Sequence, residues 1–194
     1  MRISERILHI QELLGKTREG SSSEEEKELF LDAIEALWFI WRNGQLEEFE
    51  EYLNDADVDA PAWILAAFAT REEAQAWVDA SRLPHNLAHV LIADEYHIIL
   101  TSKDGLRRSL VPDLALAYHL EEMINEGIPP PVASFDTLEQ ARDWFNRLPA
   151  PPVQSVIQIG GENYLAVYYR NIPYRALFPF SFVKRLEQLR SSRG

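Results

Sequence analysis

Ala67-Phe68-Ala69-Thr70-Arg71-Glu72-Glu73-Ala74-Gln75-Ala76-Trp77 is followed, 67 residues on, by Ser134-Phe135-Asp136-Thr137-Leu138-Glu139-Gln140-Ala141-Arg142-Asp143-Trp144. The shared pattern is F-x-T-x-E-E/Q-A-x-x-W. It reads as the end of a strand and the start of a helix. Trp63 to Phe68 is a short apolar strand. Thr70 is then an N-cap that accepts from the amide of Glu73, while Glu73 reaches back to the cap. Thr137 and Gln140 make the same box. Ala74 and Trp77, or Ala141 and Trp144, share one helix face at i and i+3. The small alanine lets the helix approach a sheet, and the indole fills the space beside it, a packing role.

The likeness extends beyond this motif. Pro84 matches Pro151, and Val90 and Ile92 match Ile157 and Ile159. Tyr96 matches Tyr164 if the turn Gly160-Gly161-Glu162-Asn163 holds one residue more than Ala93-Asp94-Glu95. Arg108, Leu110 and Pro112 match Arg175, Leu177 and Pro179. Each copy thus has two further strands joined by a tight turn, 88–93 with 96–101 and 154–159 with 163–169; Gly and Asn suit the positive φ of such turns. Helices follow each Pro, over 113–126 and over 181–192, the latter carrying Phe182, Val183, Leu186 and Leu189. The expected unit is β-α-β-β-α, used twice, over 61–128 and 129–194, packed as one domain. Gly127-Ile128-Pro129-Pro130-Pro131 is a stiff linker between them. Three strands leave two edges to hide. One continuous sheet of about six strands, or two three-stranded layers, would both serve, and the pairing stays open.

Residues 1–60 read as an acidic helical segment. Ile3, Ile7, Ile10 and Leu14 form a narrow apolar stripe. Ser21-Ser22-Ser23 before Glu24-Glu25-Glu26 is a helix start, with a hydroxyl cap and acids at the positive end of the dipole. That second helix runs to Arg42, with Phe30, Ala33, Ile34, Leu37 and Trp41 on one face; Trp38, Phe39 and Ile40 make its end apolar nearly all round, so it is expected to be covered on two sides. A third helix, Gln45 to Asn54, turns Leu46, Phe49, Tyr52 and Leu53 inward and shows Glu47, Glu48, Glu50 and Glu51 to solvent. Asp55 to Pro61 is a linker. The fold class is therefore α+β: a helical segment, then two tandem repeats forming an antiparallel or mixed sheet covered by helices.

The 194 residues suffice for a core without staples. There is no cysteine, which excludes a disulfide framework, a Cys-ligated zinc and thiol catalysis, and fits a reducing, cytoplasmic setting. MRISERILHIQELL has no apolar core for a secretory signal, and no run is long enough to cross a bilayer. The net charge is −12. Residues 1–60 hold 16 Asp/Glu against 6 Lys/Arg, a net of −10; residues 61–194 hold 15 against 13, a net of −2. This argues against nucleic acid, whose phosphates need clustered cations. It favours a protein partner with a basic face.

The motifs of known chemistry are absent: there is no G-x-S-x-G, P-loop, H-E-x-x-H or G-x-G-x-x-G. His85, His89 and His97 fall close together beside Asp94 and Glu95, yet their hairpin need not bring them to one face; they are read as ordinary surface histidines, with no metal and no cofactor expected. The acid pairs sit in first turns, where acids are favoured electrostatically. Arg108 and Arg175 hold the same place in both copies. They are either paired anion contacts or, the favoured reading, arginines that hydrogen-bond loop carbonyls or pair with an acid across the sheet. The second hairpin is rich in aromatics. Alternation sends Tyr168 and Tyr169 to opposite faces, so one of them is expected at an exposed or interface position.

Over 63–180, F-x-T-x-E-E/Q-A-x-x-W, then I-x-I…Y, then R-x-L-x-P resembles a set of small acidic bacterial proteins of unassigned activity. In style it resembles the bacterial immunity proteins, acidic cysteine-poor α+β domains that bind and neutralise a toxin. The resemblance implies a non-catalytic inhibitor of a basic toxin or effector, and carries no functional residue with it. On the residues themselves, the expected partner contacts are Glu47, Glu48, Glu50, Glu51, Tyr168, Tyr169, Arg108 and Arg175, in a monomer or homodimer. Two alternatives stand beside this: an enzyme with a site between the repeats using Arg108, Arg175 and His97, and a self-associating scaffold. If the copies have specialised, the difference lies in the histidine-bearing hairpin of the first and the tyrosine-bearing hairpin of the second.

Overall fold

The computed structural model describes residues 2–56, 60–81, 85–184, 186 and 188. The fold is mixed α+β. It divides into two compact units, Met1–Asp59 and Ala60–Gly194. Pro84, Leu189 and the middle of the 55–61 linker lie outside the described residues, as does half of the helix expected over 181–192.

The first unit is helical: α1 (Ile3–Gly20), α2 (Glu24–Arg42) and α3 (Leu46–Ala56). Ser23 caps α2 by accepting from the Glu26 amide, as its sequence requires. Ile7 and Gln11 of α1 are buried. α2 differs from expectation. Phe30, Ile34, Leu37 and Trp41 are half-buried, but Ala33 is exposed and none of the helix's 19 residues is buried. The broad apolar face is thus covered along one side only.

The second unit holds β1 (Ile64–Phe68), α4 (Arg71–Ala80), β2 (His89–Ile92), β3 (Glu95–Thr101), β4 (Arg108–Pro112) and α5 (Ala115–Glu126). Then come β5 (Ser134–Phe135), α6 (Leu138–Arg147), β6 (Gln154–Ile159), β7 (Glu162–Tyr169), β8 (Tyr174–Pro179) and a 3-10 turn, Phe180–Val183. The described residues form two separate four-stranded sheets, ordered β1-β2-β3-β4 and β5-β6-β7-β8. The first pair of each is parallel and the other pairs antiparallel. Each half has one strand more than expected. β4 and β8 end in Pro112 and Pro179, which read as loop residues, yet both are edge strands, where a missing N–H is tolerated.

The two sheets share one core. Ile64, Leu91 and Tyr96 from the first meet Leu165, Tyr169 and Phe178 from the second, and α5 adds Leu116, Leu120 and Met123. The outer face of each sheet carries its own helix. Ala74 and Val78 of α4 pack on Val90, Ile92, Ile99 and Leu110. Ala141 and Phe145 of α6 pack on Ile157, Ile159, Ala166 and Leu177. Ala74 and Ala141 are fully buried, and Trp77 and Trp144 tilt against Phe68 and Phe135 at 5.6 and 5.2 Å. The Thr70 box forms in full. In α6, Thr137 accepts from the Gln140 amide, but the Gln140 side chain takes the amide of Asp136 instead.

Both short hairpin turns hold two residues, because Ile92 pairs with Glu95 and Ile159 with Glu162. No extra residue sits in the second turn. Tyr96 therefore answers to Asn163, and His97 to Tyr164. The turns differ in chemistry. Gly160 and Gly161 take φ of 57° and 87°; Ala93 and Asp94 take 50° and 61° without glycine's freedom. The left-handed region costs an L-residue about 1–2 kcal/mol. Ala93→Gly is expected to raise unfolding stability by up to about 1 kcal/mol. A lower urea midpoint for that variant would count against strain at this turn.

Candidate functional site

Beside the edge strands β1 and β8 lies a cavity of about 590 Å³, lined by residues of β1, the β2–β3 turn, α6 and β8. The β2–β3 turn brings Asp94 to its rim, β8 brings Tyr174 and Arg175, and α6 brings Arg142. The Tyr174 hydroxyl donates to Asp94 Oδ1 at 2.7 Å. Arg142 Nη2 lies 3.5 Å from Asp94 Oδ2. Burial, and then its bond to Asp94, push the Tyr174 hydroxyl up to about 12, so it remains a donor through ordinary pH. The β7–β8 turn is tied to β1 by the Asn171 side-chain amide, which donates to the Ile64 carbonyl at 2.7 Å. In the core between the sheets the Tyr96 hydroxyl donates to the Ala62 carbonyl at 2.8 Å and lies 2.5 Å from the Tyr169 hydroxyl. Tyr96 has spent its one proton, so Tyr169 is the donor of that second bond. Burial raises both hydroxyls well above the usual phenol range.

The tyrosines expected at a surface are therefore used inside. Tyr169 is 4% exposed, in the shared core. Tyr168 points to the other face, as alternation requires, but it is half-buried with the Arg175 guanidinium 5.0 Å from its ring centroid. Neither is an exposed anchor, because each face of the second sheet is already covered.

The paired arginines close helix ends. Arg108 Nη1 donates to the carbonyls of Val78, in the last turn of α4, and of Ser81, its C-cap, at 2.7 and 2.6 Å. Arg175 Nη2 donates to Leu148 at the end of α6, at 3.0 Å. Terminal carbonyls lack partners within the helix, and a guanidinium supplies them while opposing the dipole. Arg175 also lines the cavity; Arg108 and His97 do not.

The histidines are dispersed. His85 stacks on Trp77 at 5.2 Å, and His89 lies 3.7 Å from Asp113. His97, on the opposite face of the sheet from His89, is buried with Nδ1 3.0 Å from the Glu95 carbonyl. Among the described residues, no group of three His, Asp or Glu is placed to hold a metal ion. Nor is any described helix long and apolar enough to cross a membrane.

Glu47, Glu48, Glu50 and Glu51 are all exposed on α3. On α2, Leu29, Ala33, Ala36 and Ile40 fall at i, i+4, i+7 and i+11, one face of a helix. Leu29 is 64% exposed, Ala33 and Ala36 are exposed, and Ile40 is half-buried. Glu25, Glu28, Asp32 and Glu35 flank that stripe, all exposed. Phe39, also 64% exposed, stands among them.

No family model, curated protein or solved structure matches this chain.

Composition alone did not single out Asp94, Arg142 or Tyr174. The signal lay in the difference between the turns: an Ala-Asp turn where the other hairpin has Gly-Gly marks a side chain with work to do.

Proposed function

We propose that this is a non-catalytic protein-binding protein, and that the first unit is its partner surface. The carrying observation is the stripe Leu29-Ala33-Ala36, exposed and ending at the half-buried Ile40, with acids along one side. An exposed apolar strip rimmed by charge is what an interface requires of a free protein. The two alanines allow close approach, as small residues do between packed helices. The complementary partner presents an amphipathic helix, apolar along its centre and bordered by Lys or Arg. Glu47, Glu48, Glu50 and Glu51 add to the field that draws a basic partner in. An immunity-type inhibitor of a basic toxin or effector, acting in the cytoplasm, fits this surface and the charge of −12. For the enzyme alternative, Arg175 lines the cavity whereas Arg108 and His97 do not. We also read the two halves of the second unit as a tandem duplication. Strand order, helix position and even the bonds Ala93 N–H to Phe68 and Gly160 N–H to Phe135 recur at the offset of 67.

The test is binding to a basic amphipathic helical peptide and, in native lysate, to a basic protein. Reversing Glu47, Glu48, Glu50 and Glu51 to Lys is expected to slow association by about tenfold or more at low salt and to flatten its salt dependence. Ala33→Arg is expected to raise the dissociation rate by blocking the stripe. Association indifferent to both changes would end the proposal.

A further inference from the structure

From the cavity lined by β1, the β2–β3 turn, α6 and β8 we infer a second binding site, for a small organic monoanion: a carboxylate carried on an aromatic or branched apolar body. At about 590 Å³ the cavity has the size of a small-molecule site. Phe68 from β1, Phe145 from α6 and Leu177 from β8 give it apolar walls. Its charged groups are two guanidiniums, Arg142 and Arg175, and one carboxylate, Asp94. Asp94 is already engaged by the Tyr174 hydroxyl and by Arg142. The local balance is one positive charge in a protein of net charge −12, which selects an anion against the general field.

The two copies show that this is a specialised place. Arg108 commits two hydrogen bonds to closing its helix, whereas Arg175 commits one, and the rest of its guanidinium is held over Phe145 and Tyr168. Arg142 reaches Asp94 only at 3.5 Å and is 56% exposed, so it can turn to a ligand without uncovering core. A guanidinium binds carboxylate through paired N–H donors, the strongest neutral-pH contact this cavity offers. Ala93 and Asp94, both in the left-handed region, hold the rim carboxylate in place. Strained backbone of this kind gathers at ligand sites.

Three probes of one shape separate charge from shape: 4-phenylbutyrate, 4-phenylbutanamide and 4-phenylbutylamine. Each is titrated to about 10 mM against isotope-labelled full-length protein and followed by amide chemical shifts. The carboxylate is expected to move residues 67–69, 93–94, 142–146 and 174–177, and to bind about tenfold or more tighter than the amide or the amine. Arg142→Gln is expected to weaken the carboxylate by about tenfold and leave the amide unchanged, while Arg142→Lys restores part of the loss. Equal binding of the three probes, shifts confined to other surfaces, or no shift at the highest concentration would each overturn the inference. Because none of these residues lies on α2 or α3, its failure leaves the partner surface untouched, and the reverse holds too.

Discussion

Phe178→Ala is expected to remove about 3–5 kcal/mol of unfolding stability, the range for deleting a fully buried aromatic ring. Phe178 has no exposed surface and lies 6.1 Å from the Tyr96 ring, so the void opens where the two sheets meet. A whole domain is stable by only about 5–15 kcal/mol, which makes this loss a large fraction of the total. It is also expected to be shared. Trp77 sits on α4 in the first half and Trp144 on α6 in the second. Variants keeping one of these tryptophans at a time report each half by fluorescence during urea unfolding. With a common core, both reporters move together to a lower midpoint. A change seen by Trp144 alone would mean that the halves unfold independently.

The second large effect is alkaline. Tyr96 and Tyr169 are buried and hydrogen-bonded as neutral phenols, and both lose their protons well above the usual phenol value of about 10. Their contribution is complete below that value. As pH rises past about 10 the unfolded chain releases two protons that the folded chain keeps, and stability falls by about 2.7 kcal/mol per pH unit. Tyr174, half-exposed, adds a smaller share to the same trend. Urea midpoints measured between pH 8 and about 12 are expected to fall steeply from pH 10. Tyr169→Phe is expected to roughly halve the slope, because Tyr96 keeps its bond to the Ala62 carbonyl. A flat profile would show that the pair ionises as freely in the folded protein as in the unfolded one.

Much of the second unit was legible because local chemistry repeats there. A Thr at the cap, an Ala facing the sheet and an alternating apolar strand each state a local preference, and the tertiary structure agrees with all of them. What escaped reading depended on neighbours. Arg108-Ser-Leu-Val-Pro112 looks like a loop until β3 lies beside it as a pairing template. Tyr169 looks like an interface residue until a second sheet closes over it. The link from Asp94 to Tyr174 spans 80 residues, beyond any sequence window. In the first unit the periodicity of α2 placed Phe30, Ile34, Leu37 and Trp41 on the half-buried side but Ala33 wrongly among them, and hydrophobicity alone could not say that the adjoining face stays exposed.

The shared core also bears on how the chain is made. The bonds that join the sheets close loops of 73, 80 and 107 residues, so their entropy must be spent before any contact between sheets returns it. On the ribosome the first sheet is finished long before β7 and β8 emerge. Until they do, Ile64, Leu91 and Tyr96 have no second sheet to meet, and half of the eventual core faces water. Folding of this unit is therefore expected to be a late event, timed by the arrival of its last two strands, with the nascent first half the species most prone to aggregate.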